Sequence, residues 1–173
     1  MMVKKLLSII AGLIFMISTS VAEEKLTIEK QLVGIVGAIS GTVKTETREL
    51  KAGDKIYLNE TIYAGVGAGT QILLLDQSTF TIGEDSEVVM DTFVFDPETN
   101  DGKIVASVKQ GSLKVISGLI SKKNPDSLTV EVPEGTLGSR GTEFQTIVSK
   151  GKTDTLLIGP GKNNTLGLRP GAV

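Results

Sequence analysis

The sequence predicts an all-β fold, a single compact antiparallel β-sandwich or β-roll of about twelve short strands. Three observations predict it. Apolar residues downstream of Glu23 recur mostly at period two, Val, Ile, Thr and Leu fill the recurring segments, and Gly, Asn, Asp and Pro separate them at intervals of roughly eight to twelve residues. A short irregular β-solenoid is the alternative architecture, although no fixed repeat of about 20–50 residues stands out.

In chain order the expected strands are 33–39, 42–47, 60–64, 70–75, 78–82, 87–95, 103–109, 112–117, 127–132, 142–149, 154–158 and 165–168. Helical spacing is confined to 24–31. Turn chemistry divides the strands. Gly53-Asp54, Asp76-Gln77-Ser78 and Gly161-Lys162-Asn163-Asn164 combine residues that accept positive φ with short polar side chains that bond the turn backbone. Val88, Met90 and Val94 alternate with Val89, Asp91 and Phe93, and Leu128, Val130 and Val132 alternate with Thr129 and Glu131. Asp96 to Gly102 is a polar loop between strands, since its spacing does not fit a calcium loop. Between 103 and 117 the core-facing parity is even at Ile104, Ala106 and Val108, then odd at Leu113 and Val115. A change of parity needs a bulge or tight turn, so Gly111 is assigned a structural role, with Val105, Ser107, Lys109 and Lys114 on the solvent face. Pro133 closes 127–132, and Gly141 opens the strand that follows it.

The absences narrow the chemistry. There is no Cys, His or Trp, and only two Tyr and five Phe, among 173 residues. Thiolate and imidazole metal sites, disulfides and His-dependent triads are therefore excluded, and no cofactor is expected. No base is at hand for general-base catalysis of the commonest type, so the chain reads as a non-enzyme. The 18 basic and 20 acidic residues form no basic block, which removes nucleic acid as a partner.

Residues 1–22 read as a secretory signal peptide. Lys4 and Lys5 precede an apolar run from Leu6 to Ile17, too short to span a bilayer core of about 30 Å, and Ser20-Val21-Ala22 supplies the small residues of a cleavage site after Ala22. Residues 23–32 form a lead-in and 33–173 the β domain. The expected location is periplasmic or secreted, with no stable membrane insertion once the leader is removed.

Two groups of residues are candidate contacts. Arg140, set between Gly138 and Gly141, can grip a carboxylate, phosphate or sugar hydroxyls, or can clamp a neighbouring carbonyl or a carboxylate such as Asp85 or Asp91. Thr142 then closes the turn with its hydroxyl or begins the next strand. Tyr57 and Tyr63, flanking Asn59-Glu60-Thr61, form the one expected exposed aromatic pair.

The order of these motifs resembles the FecR domain. The resemblance runs through 33–43, then Leu50-Lys51-Ala52-Gly53-Asp54-Lys55-Ile56, then 72–83 around Asp76-Gln77-Ser78, then Gln110-Gly111-Ser112-Leu113, and ends in 130–144 with Pro133 and Arg140-Gly141-Thr142. It covers about 33–170. Two positions depart from the family pattern, Gln77 in the Asp-Gly-Ser turn and Ser139 where an apolar residue is common. The resemblance implies an extracytoplasmic, non-enzymatic binding or interaction module in envelope sensing or signalling, whose partner is a protein or glycan of the cell envelope. With only a cleavable leader before Glu23, direct sigma-factor regulation is not carried over. The alternative is a structural or assembly protein that pairs through β-strand edges, and self-association is compatible with either.

Overall fold

The computed structural model describes residues 29–159. The expected leader and the expected strand 165–168 lie outside the described residues, as does most of the expected helix at 24–31, whose last three residues are not helical.

The chain forms twelve strands and one short helix: β1 (Leu32–Ser40), β2 (Val43–Lys44), β3 (Lys55–Tyr57), β4 (Thr61–Ala64), β5 (Gly69–Leu74), β6 (Thr79–Ile82), β7 (Ser86–Phe95), β8 (Gly102–Ile116), α1 (Leu119–Lys123), β9 (Leu128–Val132), β10 (Gly135–Ser139), β11 (Glu143–Ser149) and β12 (Lys152–Leu157). They belong to one sheet folded over on itself into two leaves, so neither a solenoid nor a pair of separate sheets forms. One leaf runs β12-β11-β8-β6-β5-β1-β3 and the other β2-β4-β7-β8-β9-β10. Pairing is antiparallel throughout except between β8 and β9, which run parallel across the connection that carries α1.

β8 is the strand common to both leaves. The two segments expected at 103–109 and 112–117 are one strand of 15 residues, and its first half pairs with β7 and β9 while its second half pairs with β6 and β11. Gly111 stands where the strand passes between leaves, with φ +85° and the Ser86 Cα 2.4 Å from where a Cβ would sit. Ile104, Ala106 and Val108 before it, and Leu113 and Val115 after it, are all buried. The parity change is therefore real, and it lets one strand send side chains into the same core from both leaves.

That core lies between the leaves. Val33, Val36, Ile72, Phe80, Ile82 and Phe144 meet Ile62, Val88, Met90, Phe93, Leu128 and Val130 in one continuous cluster. Two side chains depart from simple alternation. A bulge between Met90 and Thr92 turns Phe93 inward and leaves Val94 exposed, the reverse of the sequence expectation. Ser107 is buried instead of solvent-facing, because parallel strand β9 covers that stretch of β8 and brings Glu131 to 3.5 Å from its hydroxyl.

The Asp76 turn supplies the end of α1. Asp76 is fully buried, its Oδ1 accepts from the Ser78 amide at 3.0 Å, and its Oδ2 accepts from the Ser78 hydroxyl at 2.8 Å and the Ile120 amide at 3.4 Å. The Asp76 carbonyl takes the Leu119 amide and the Ser78 hydroxyl takes the Gly118 amide. Three amides that a helix start leaves unpaired are thus satisfied by a turn some forty residues upstream. Gln77, with φ 68°, fits the left-handed position where glycine is usual in the family turn.

Candidate functional site

The sequence candidates occupy two separate places. Arg140 follows β10 and is about 60% exposed; its Nε donates to Asp126 Oδ1 at 2.9 Å, so its partner is neither Asp85 nor Asp91. Gly141 turns the chain at φ +77°. Thr142 is fully buried, but its hydroxyl has no hydrogen-bond partner among the described residues, so the hydroxyl does not close the turn. Its carbonyl does that work by accepting from the Ser117 hydroxyl at 2.8 Å and the Ser117 amide at 3.2 Å. The same Ser117 hydroxyl lies 3.0 Å from that of Ser139, which explains why a polar residue is accommodated at a buried position there. Because the Arg140–Asp126 pair is open to water on both sides, Arg140→Ala is expected to change unfolding free energy by about 0.5 kcal/mol or less, as read by urea denaturation.

The remaining turn positions hold the frame. Gly53 has φ +90° and its amide bonds the Val36 carbonyl, while Asp54 Oδ2 accepts the Lys51 amide at 2.8 Å. Pro133 and Glu134 are the two-residue loop of the β9–β10 hairpin, in which Val132 pairs with Gly135.

The two tyrosines lie on opposite leaves, Tyr57 on β3 and Tyr63 on β4, and Arg48 sits over Tyr57. Arg48 Cζ lies 5.9 Å from the centre of the Tyr57 ring, and Lys30 Nζ lies 5.8 Å from the same centre. Arg48 is fixed by Glu60, a nearly buried carboxylate that takes Nη1 at 2.5 Å and Nη2 at 3.1 Å in a forked pair and also accepts the Tyr57 amide at 3.0 Å. The bonded carboxylate raises the guanidinium pKa further above its already high value, so Arg48 carries its charge at every working pH.

Arg48 also forms one wall of an open groove of about 380 Å³, lined in addition by Thr42, Lys44, Thr45, Glu46, Glu49 and Tyr63. Hydrogen bonding from Thr61 holds the Glu46 carboxyl below the usual carboxylate range, against the small opposing effect of burial. Lys44 makes no ion pair among the described residues. The groove therefore combines a half-buried phenol ring, a free ammonium and the carboxylate of Glu46, held in its ionised form. That set can stack on a flat or sugar-like face and hydrogen-bond its rim. Tyr63 could be singled out from sequence because aromatics are so few. Lys44, Arg48, Glu46 and Glu60 carried no sequence signal, since their roles come from strand pairings that bring 44, 48 and 60 together only in the fold. The groove includes none of residues 140–142.

No group of three or more acidic side chains among the described residues is placed to hold a metal ion, and no helix of the described residues is long and apolar enough to cross a membrane. Searches of curated proteins and of solved structures returned no significant match. The family model for FecR protein matches residues 60–158, from the buried Glu60 through β12. The match spans the Asp76 turn, the Gly111 crossing and the Arg140-Gly141-Thr142 segment in one frame, and the chain belongs to the FecR family.

Proposed function

We propose that the chain is a non-enzymatic, extracytoplasmic binding module of envelope sensing or signalling, and that it takes a segment of an envelope glycan or protein in the Tyr63 groove. The observation that carries the proposal is the groove itself. Its volume of about 380 Å³ lies in the range of small-ligand sites, and its wall joins an aromatic ring to charged groups that Glu60 and Thr61 hold in place. Export is supported by the leader pattern of residues 1–22. The non-enzymatic reading is supported by the lack of His and Cys and by the position of Asp76, the carboxyl group that burial raises, which is spent on backbone amides inside the fold.

The test is binding by the exported chain to soluble peptidoglycan fragments and to envelope extract. Saturable binding that falls about tenfold or more in Tyr63→Ala and Lys44→Ala, but not in Arg140→Ala, is the expected result. Binding indifferent to Tyr63→Ala, turnover of the fragments, or an exported chain that still begins at Met1 would each overturn a part of the proposal. An assembly role is favoured by one further observation: among the described residues β12 pairs only with β11, and it exposes Leu156.

A further inference from the structure

Each tyrosine of the chain is set beside a carboxylate, but the chain supplies its own cations to only one of them. At Tyr57, Lys30 Nζ and Arg48 Cζ lie 5.8 Å and 5.9 Å from the ring centre. Both cations also reach Glu60, Arg48 through its fork and Lys30 at 3.9 Å. Ring and acid thus hold the two side chains together, because a cation gains from the π face and from the carboxylate at once.

Tyr63 has the same two ingredients. It stands on β4 directly opposite Glu87 of β7, and opposed residues of an antiparallel pair send their side chains to one face with Cβ atoms about 5 Å apart. That face is the outer one, since the chain neighbours Ile62, Ala64 and Val88 are buried. On its other flank Tyr63 is opposed by Lys44, which a further bridge sets opposite Glu49. The row across the sheet therefore reads Glu49, Lys44, Tyr63, Glu87. Among the described residues no cation lies over the Tyr63 ring, and Glu87 makes no ion pair. Arg48 and Lys30 do not serve it, because Glu60 holds both and the Lys30 charge also acts on Glu46.

We infer that the partner supplies this cation: the groove takes a lysine or arginine side chain of a protein segment, its stem along the Tyr63 ring and its charge against Glu87. The inference rests on the proposed role of the groove and names the chemistry of what enters it. Lys44 repels a cation from its own flank and so confines it to the Glu87 side, while its ammonium donates to a main-chain carbonyl of the same segment. A protein segment fits better than a glycan because the example at Tyr57 is built from flexible aliphatic side chains, whose methylenes can lie on the ring while the charged head stays with the acid. A sugar hydroxyl would hydrogen-bond Glu87 but would gain nothing from the pairing of acid with ring.

The probe is a five-residue peptide of alternating glycine and lysine with both ends blocked, titrated into the exported chain and followed by amide chemical shifts. Saturable shifts are expected at Lys44, Tyr63 and Glu87. Acetylating the probe's lysines keeps the stems and removes the charge, and is expected to weaken binding about tenfold. Glu87→Gln is expected to weaken the unmodified probe about fourfold. Glu98→Gln removes the same charge from the loop beyond the far end of β7, roughly 25 Å away at about 3.3 Å per residue, and is expected to change nothing. No saturation by the probe at millimolar concentration, equal affinity for the acetylated form, or equal losses in Glu87→Gln and Glu98→Gln would overturn the inference. Tighter binding of a glucosamine oligosaccharide would also overturn it and give the site to a glycan. In each of these cases, Tyr63-dependent binding to envelope extract would leave the role of the groove standing, whereas its absence removes both.

Discussion

Asp76→Ala is expected to lower the unfolding free energy by about 3 kcal/mol, because it strips acceptors from three buried donors, the Ser78 amide, the Ser78 hydroxyl and the Ile120 amide. For a chain of this size that corresponds to a fall in melting temperature of about 6–12 °C by calorimetry. A loss under about 1 kcal/mol would show that the turn does not hold α1. The charge of the same group makes a second, separable contribution. Burial pushes the Asp76 carboxyl above its ordinary value near 3.9, with the Ser78 and Ile120 bonds pulling the other way. An acid whose folded pKa is raised binds protons more tightly when folded, so its contribution to stability falls as pH rises from about 3.9 through the folded value. Asp76→Asn has no such titration. The stability of wild type relative to Asp76→Asn is therefore expected to decline across that window and to level off above it, and urea unfolding at stepped pH reads the difference directly. Taking a difference also removes the opposite slope from Glu46, Asp96 and Asp101, whose lowered values make the fold lose stability on acidification.

Gly111→Ala is expected to destabilise by at least about 3 kcal/mol. The added methyl demands a φ of +85° from an L-residue, which costs about 1–2 kcal/mol, and it lands within 2.2 Å of Ser86 Oγ and 2.4 Å of Ser86 Cα. The Ser86 hydroxyl accepts the Ser112 amide at 2.9 Å, so displacing it breaks the ladder on the far side of the crossing as well. Circular dichroism melting checks the size of the effect. Gly53→Ala is the matched control, since φ is +90° there but no heavy atom lies within 4 Å of the added methyl; a loss equal to that of Gly111→Ala would mean that backbone strain alone, and not the contact with Ser86, is responsible.

Much of this frame was legible in the sequence. The parity change around Gly111 could be read because five apolar positions of β8 fix the inward face on either side of it. Eleven of the expected strands correspond to strands found among the described residues or to halves of β8, since period two survives wherever one face is buried. β3 and β10 went unseen for different reasons. β3 has three residues, below the length at which alternation can be recognised, and β10 is Gly-Thr-Leu-Gly-Ser, whose composition is that of a turn. α1 escaped notice because its cap comes from Asp76 and Ser78, while Gly118 beside it gives no local start signal. The groove shows the same limit: rarity pointed to Tyr63, but the Arg48–Glu60 fork is made by residues twelve apart with no shared motif.

Sharing β8 between the leaves also sets an order on synthesis. Until residues 102–116 have been made, β6 and β7 each lack one neighbour. Residues 32–95 emerge as two incomplete ribbons with apolar inner faces, and neither can close before β8 joins them. Such a chain concentrates its non-local contacts late, so its nascent half passes through a window of open edges in which delay favours aggregation over folding.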